Sequence, residues 1–397
     1  MGKSSDIVII GASSSGLFAA EQLARAGRQV HVYEQHETLN PARRTLIITP
    51  SLNRVLGFIP KEAVLHQTSV MALASPNAAN QVVLHEPDMI VERKTFIHLL
   101  ARRAQEAGAR LHLGRQLQHI EPNGQGLVVH LRHVGSDRQE VVQAGALIGA
   151  DGAFSQVTQI AGIPGPATVP ILQAEVPLPT GWDPAVVQCW FDREDTRFFY
   201  WLIPESTQRG VLGLVADHTG EARPLLTRFL ARLGLKPLAY QGAQVAMHHP
   251  RLRPWTRLGA APVYLIGDAA GQVKVTTVGG TLTGLWGAKA AVQALIRGTQ
   301  YAQELRDLKR ELDLHWFVRV LLDRLDNPGY DQLLRSVTPA VQDFLGRYTR
   351  DQMAGVFWRL ALRQPRLLAL GVRCLLRVRK PVHRPVGVGS GALLETD

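Results

Sequence analysis

The stretch from Asp6 to Glu34 constrains the fold more than any other part of this 397-residue chain. Asp6-Ile-Val-Ile-Ile10 is a short apolar run with the length and β-branched content of a buried strand. Gly11-Ala-Ser-Ser-Ser15-Gly16 follows, and Leu17, Ala20, Leu23 and Ala24 then mark the apolar face of a helix that Gly27 ends. Gln29-Val-His-Val-Tyr33 is a second strand, closed by Glu34. Strand, glycine turn, helix, strand and terminal acid together form a βαβ fingerprint for an adenine dinucleotide, with Ser13 in place of the usual middle glycine. Gly11 permits the tight turn and Gly16 the close approach of helix to strand. Ser13 still lets the backbone approach a pyrophosphate and adds a hydroxyl donor. Glu34, at the roughly 20-residue offset, suits a ribose 2′-OH.

Two further junctions repeat the strand-then-turn pattern. Ala146-Leu-Ile-Gly149-Ala150-Asp151-Gly152 ends a short strand in an Asp-Gly turn, and Glu92-Arg93 opens a helix with Phe96, Leu99, Leu100 and Ala104 on one side. Val263-Tyr-Leu-Ile266-Gly267-Asp268 ends a third strand, and a glycine-rich loop closes at Thr276-Thr-Val-Gly279-Gly280 before a helix carrying Leu282, Leu285, Trp286 and Ala290. A carboxylate at such a strand end can bond a sugar or ribityl hydroxyl. The glycines let backbone N–H groups approach a flat, electron-rich ring at a positive helix terminus. Alone, each junction reads equally as an ordinary turn.

In order, Gly11-x-Ser13-x-x-Gly16, Arg93 ahead of its helix, Asp151-Gly152 and Gly267-Asp268 resemble the p-hydroxybenzoate-hydroxylase-like FAD proteins over roughly residues 5–300. The resemblance implies FAD as cofactor, with Gly11, Ser13, Ser15 and Gly16 in its fingerprint and Glu34 on the adenosine ribose. It further implies Arg93 and Asp151 near the pyrophosphate, Asp268 on the ribityl chain, and Gly267, Gly279 and Gly280 around the flavin. Arg43 or Arg44 resembles the arginine that hydroxylase-type relatives set beside the flavin; a solvated loop arginine is the other reading.

The expected fold class is α/β (α+β): a Rossmann-like FAD-binding domain of three-layer ββα architecture, an inserted antiparallel-sheet substrate domain and a helical C-terminal tail. The FAD-binding part is expected to be discontinuous, over 1–75, 92–168 and 260–300. Residues 76–91 and 169–259 read as β-rich, with Gln81–Leu84, Gln173–Val176, Val186–Phe191, Phe198–Ile203 and Gly210–Val215 as strands. Residues 301–397 read as helical, interrupted at Pro328-Gly329.

Composition narrows the class. Two cysteines, Cys189 and Cys374, supply neither a disulfide framework nor a metal cluster, so no metal is expected and a reducing compartment is. A signal-peptide pattern is lacking at the first residues, and no uncharged run approaches the roughly 20 residues of a membrane span. A cytoplasmic protein is expected, peripheral on the inner face of the membrane. Forty-four Lys and Arg against thirty-three Asp and Glu leave a formal charge of +11, which calls for an acidic partner. Nucleic acid is not expected, since neither a binding module nor an aromatic-basic ladder is present. Arginines and lysines between Arg347 and Arg384 instead alternate with apolar residues, as in helices that lie on an anionic bilayer; an ordinary helical cap is the other reading. Oligomeric state is not legible.

The chemistry is read from the loop Gln272-Val-Lys-Val-Thr-Thr-Val-Gly-Gly280, which resembles the flavin loop of the geranylgeranyl reductase family. Phe199-Tyr200-Trp201-Leu-Ile-Pro204 is similar to that family's Tyr-x-Trp-x-Phe-Pro segment, with Phe and Ile as departures, and also echoes the Trp-x-Trp-x-Ile-Pro of flavin-dependent halogenases. The resemblance implies reduction of isoprenoid carbon–carbon double bonds by hydride from flavin N5. The substrate is then hydrophobic, an isoprenoid or lipid, with Tyr200 and Trp201 facing its cavity. Alternating aromatics on a strand also read as core packing. Tyr200 or an ordered water is the expected proton donor, and NAD(P)H or ferredoxin the electron donor. Archaeal members place a cysteine where this chain has Pro41–Thr45, so a thiol mechanism is not carried over. A flavin monooxygenase acting on an aromatic substrate is the alternative. A halogenase is less favoured, since Glu34–Leu56 holds no lysine. A non-catalytic flavin-binding protein is the third class.

Overall fold

A computed structural model describes residues 6–124 and 126–355, with the single positions 359, 369, 371, 373 and 375 besides. The basic segment beyond residue 355 lies almost wholly outside the described residues.

The strand Ile7–Ile10 is buried along its whole length, which is why its sequence is continuously apolar rather than alternating. It pairs in parallel with Val30–Tyr33 on one side and Ala146–Gly149 on the other. Arg110–His112 and Ala261–Leu265 extend the parallel sheet, and Trp255–Leu258 adds an antiparallel edge, giving six strands. Helices Ser14–Arg25, Arg93–Glu106 and Thr281–Arg297 cover one face through a core that includes Ile9, Leu17, Phe96 and Leu285. The other face, with Val8, Ile10, Leu147 and Val263, packs on a three-stranded antiparallel sheet through Leu117, Leu127 and Val129. This is the expected three-layer ββα arrangement.

A second sheet of eight strands runs Ala239–Ala246, Thr168–Pro177, Arg209–Val215, Tyr200–Pro204, Val186–Trp190, Val64–Ser75, Ala78–Glu92 and Thr45–Ile48. Neighbours are antiparallel except Val186–Trp190 beside Val64–Ser75. The expected boundary at residue 75 falls in the turn of a hairpin, because Val64–Ser75 pairs along its length with Ala78–Glu92. Residues 45–48 and 64–75 therefore belong to the sheet of the β-rich part. Side-chain alternation divides this sheet into two faces. Tyr200, Leu202, Leu212 and Leu214 pack under helix Thr219–Arg232, whereas Trp201, Ile203, Val211 and Val215 pack on the opposite face.

Beyond residue 300 the described chain is helical, over Tyr301–Glu304, Arg306–Leu322, Asn327–Arg335 and Pro339–Arg347. Pro328-Gly329 starts a helix rather than interrupting one. Asp326 is its N-cap, its side chain accepting from Gly329 N at 2.9 Å, and proline in the first turn lacks an N–H that would have no partner there. No helix among the described residues is long and apolar enough to cross a membrane.

Candidate active site

One cavity of ≈ 360 Å³ runs from the end of the parallel sheet to the Trp201 face of the eight-stranded sheet. Its first end is built from backbone. Gly11 has φ +101°, and a Cβ there would lie 2.5 Å from the Ala150 carbonyl oxygen; a Cβ on Gly16 would overlap the Gly11 carbonyl. Ser13 caps the first helix, Oγ accepting from Gly16 N at 3.2 Å, and meets Ser15 Oγ at 3.2 Å. Both serines line the cavity. Glu34 accepts from Ala12 N at 2.9 Å through Oε2, which fixes the strand-end acid against the fingerprint turn. Asp151 sits beside this wall but its carboxylate works locally, accepting from the Ser155 hydroxyl at 2.6 Å and Val157 N at 3.1 Å. The neighbours Ala150 and Gly152 supply the wall itself. Asp151 thus adjoins the fingerprint turn, a Cβ on Gly11 lying 2.8 Å from its Cα, while its carboxylate holds the start of the short helix that follows.

Arg44, Arg93 and Asp268 converge at the middle of the cavity. Burial raises the Asp268 carboxyl above the usual range, opposed by Arg44 and Arg93. Burial, and then the charge of Arg93, pushes the Arg44 guanidinium down to about 10. Arg93 donates to the Ala42 carbonyl at 3.1 Å, while Arg44 Nε is buried with no protein partner. Two guanidiniums around one carboxylate leave a net positive wall. Such a wall, with an unpaired buried N–H, needs an anion. Gly267 has φ +64°, and a Cβ would lie 2.6 Å from Ser15 Oγ; one on Gly280 would lie 3.1 Å from Asp268 Oδ1. Gln272 Oε1 accepts from Gly267 N at 2.7 Å and so sets the turn that aims Asp268. The unpaired guanidinium nitrogen and the glycine cradle both fit FAD.

The far end is built from side chains. The loop 272–280 is pinned by Lys274 N donating to the Gly279 carbonyl at 3.1 Å, and Val278 takes φ +53° within it. Gly279 and Gly280 line the cavity with Met71, Leu73, Phe199, Trp201 and Ile203 opposite. Trp201 is in the wall as expected, and its Nε1 has no protein partner. Tyr200 is not. It lies on the other face of the strand, stacked on Phe229 at 4.0 Å, with its hydroxyl donating to Asp195 at 2.9 Å. Neighbouring strand residues face opposite ways, so only one of the pair can meet the cavity.

Several groups in the wall or directly behind it escaped the sequence. Lys274, buried, forms an ion pair with the buried Asp351, which also accepts from Thr49 Oγ1. Arg350 lines the wall and donates to Asp88 at 2.7 Å. His315, fully buried, meets Thr276 Oγ1 at 2.5 Å. Lys274 was legible as the lone cation of an otherwise uncharged loop; Arg350 and Asp351 carry no local signal. Cys189 also lines the cavity, so the fold brings a thiol to the wall that holds Thr45 although the sequence separates them. Burial pushes that thiol up to about 12, which keeps it protonated and unreactive. Among the described residues no group of three or more side chains could hold a metal ion.

The profile of the FAD binding domain family matches residues 4–302. A digeranylgeranylglycerophospholipid reductase of Methanothermobacter thermautotrophicus is 28% identical over 361 residues, covering 84% of this chain and 91% of its own. The chloroplastic geranylgeranyl diphosphate reductase of Oryza sativa subsp. japonica is 27% identical over 82% of this chain and 75% of its own. Among solved structures, a geranylgeranyl bacteriochlorophyll reductase-like protein of Thermoplasma acidophilum superposes with TM-score 0.78 at 18% identity, covering 93% of this chain and 99% of its own. The flavin-dependent halogenase CmlS gives TM-score 0.64 at 17% identity, over 91% and 72% of the two chains.

Proposed function

The chain belongs to the FAD binding domain family, on its geranylgeranyl reductase branch, and from that premise we propose how this cavity reduces carbon–carbon double bonds of an isoprenoid chain. The observation that carries the reading is the continuity of the cavity. One wall is a cationic, glycine-lined cradle and the opposite wall is apolar and aromatic, so a dinucleotide and a hydrocarbon meet in one space.

Glu34 would hold the adenosine ribose; Ser13, Ser15, Arg44 and Arg93 the pyrophosphate; Asp268 the ribityl hydroxyls. Gly279 and Gly280, at the N-terminus of helix Thr281–Arg297, would present backbone N–H groups to the flavin ring, where the positive helix end favours negative charge. Bound FAD, once reduced, supplies the hydride. Trp201, Phe199, Ile203 and Met71 would hold the isoprenoid and exclude water. The formal charge of +11 suits an acidic electron carrier such as a ferredoxin, with NAD(P)H as the competing donor, and also suits contact with an anionic membrane.

The test is anaerobic. Photoreduced holoprotein mixed with a geranylgeranyl-bearing glycerophospholipid should yield product heavier by two hydrogen atoms per double bond reduced. Oxygen incorporation in air, without any gain of hydrogen under anaerobiosis, would overturn the reductase reading in favour of a monooxygenase.

A further inference from the structure

Saturating an alkene takes a proton as well as a hydride, and Tyr200 faces away from the cavity. Most polar groups in the cavity wall near the loop 272–280 are already committed. Lys274 and Asp351 hold each other, the second Asp351 oxygen takes the Thr49 hydroxyl, and Arg350 is bound to Asp88. Trp201 offers only an indole N–H, which does not transfer a proton near neutrality.

Thr277 also lines the cavity, but its buried hydroxyl has no partner among the described residues to return a proton; Thr276 has one. Thr276 lines the cavity, and its hydroxyl lies 2.5 Å from Nδ1 of His315, a side chain with no exposure. On the other side of the ring, His315 Nε2 lies 3.2 Å from the Arg350 carbonyl and 3.4 Å from Glu311 Oε1. The Glu311 carboxylate is fixed in turn by Met353 N and Ala354 N, each at 2.7 Å. A hydroxyl, an imidazole and a carboxylate thus stand in line from the cavity wall into the helix Arg306–Leu322. The carbonyl partner requires a hydrogen on Nε2. In the neutral ring Nδ1 is then bare, and the Thr276 hydroxyl proton points at it, away from the cavity. Protonation at Nδ1 reverses that bond and frees the hydroxyl proton to turn into the cavity.

We propose that Thr276, recharged by His315, delivers the proton that completes alkene reduction. The inference rests on the reductase reading above. As the hydride from the reduced flavin forms a C–H bond at one alkene carbon, the π pair takes the Thr276 hydroxyl proton at the other. The Thr276 oxygen takes the Nδ1 proton of His315, leaving neutral imidazole. The alkene is reduced by two electrons, and the flavin is oxidised by two.

The groups facing His315 set the pH at which it is loaded. Burial pushes its pKa below the usual histidine value, Glu311 on its own helix opposes this, and Lys274 from the flavin loop adds to it. Asp351 offsets Lys274, and Arg350 contributes its carbonyl while its guanidinium is held by Asp88. The loaded form therefore grows as pH falls through a value below the ordinary 6.5.

The test uses photoreduced holoenzyme and geranylgeranyl diphosphate in detergent micelles under anaerobic conditions, reading flavin reoxidation in a single turnover. Thr276→Val should slow it on the order of 10²-fold, the usual worth of a positioned acid, with FAD still bound. Thr276→Ser should restore most of the rate. His315→Gln should slow it and remove the rise at acid pH. Imidazole nitrogen chemical shifts of the oxidised holoenzyme supply a readout independent of turnover: His315 should carry its hydrogen on Nε2 above neutrality and gain one on Nδ1 on acidification. A wild-type rate kept within threefold in Thr276→Val, or a neutral ring bearing its hydrogen on Nδ1, would overturn the relay alone. A wild type that reduces no alkene would overturn the reductase reading and the relay with it.

Discussion

The two ends of the cavity are made by different means. At the fingerprint end the wall is backbone and glycine: Gly11 and Gly16 sit where any Cβ would collide with neighbouring main chain. At the loop 272–280 end the wall is side chains, with Lys274 meeting Arg350 and Asp351 from far along the sequence and His315 standing behind Thr276; all but Arg350 are buried. The first end is specified by what is missing from a few adjacent residues. The second is specified by charges that must find each other across the fold, and each is costly without its partner.

The largest effect that separates the two is expected at Lys274. Lys274→Met leaves Asp351 buried and charged without its cation, and unfolding by urea should show a loss of about 3–5 kcal/mol. Adding Asp351→Leu should recover most of that loss, since the penalty lies in the orphaned charge rather than in the pair. A double variant no better than the single one would break the comparison.

Next comes Gly16→Ala, whose Cβ would press on the Gly11 carbonyl. It should cost about 3 kcal/mol by overpacking and should also strip the flavin, read from absorbance after gel filtration. No second substitution is expected to repair it, because the obstacle is main chain.

Tyr200 and Trp201 sharpen the contrast within one strand. Tyr200→Phe removes a buried hydroxyl bonded to Asp195 and should cost about 1–2 kcal/mol in unfolding, with turnover unchanged. Trp201→Ala should keep FAD and slow alkene reduction by roughly 10-fold or more. Equal effects of the two on turnover would show that the strand acts only through packing.

The smallest effect is a pH dependence. The folded pKa of His315 lies below its unfolded value, so the unfolded chain takes up the proton first as pH falls. Its contribution to stability is complete above about 6.5 and declines below, by at most about 1.4 kcal/mol per pH unit. His315→Gln should flatten that slope between neutrality and pH of about 5 in urea titrations. An unchanged slope would place the titration elsewhere.

The same contrast explains what the sequence disclosed. Gly11, Ser13, Gly16 and Glu34 lie within one strand-helix-strand unit whose geometry follows from local order, and they stand where the fingerprint places them. Asp268 was legible for the same reason. The partners of the Asp151 carboxylate were not legible, because a carboxylate at a strand end can equally hold the start of the next helix, as Ser155 and Val157 N show. Tyr200 and Trp201 could not be told apart, since alternation says that they part but not which faces helix Thr219–Arg232. The Thr276–His315 and Lys274–Asp351 contacts link residues 39 and 77 positions apart, with neither side carrying a motif.

The central claim is that FAD and an isoprenoid share this one cavity. The most direct measurement is stopped-flow reoxidation of photoreduced holoprotein by a geranylgeranyl lipid without oxygen, for the wild type and Trp201→Ala. The account predicts lipid-dependent reoxidation in the wild type, matched by hydrogen gained in the product and slowed in the variant while the flavin stays bound. Reoxidation by oxygen alone, indifferent to the lipid and to Trp201, would contradict it.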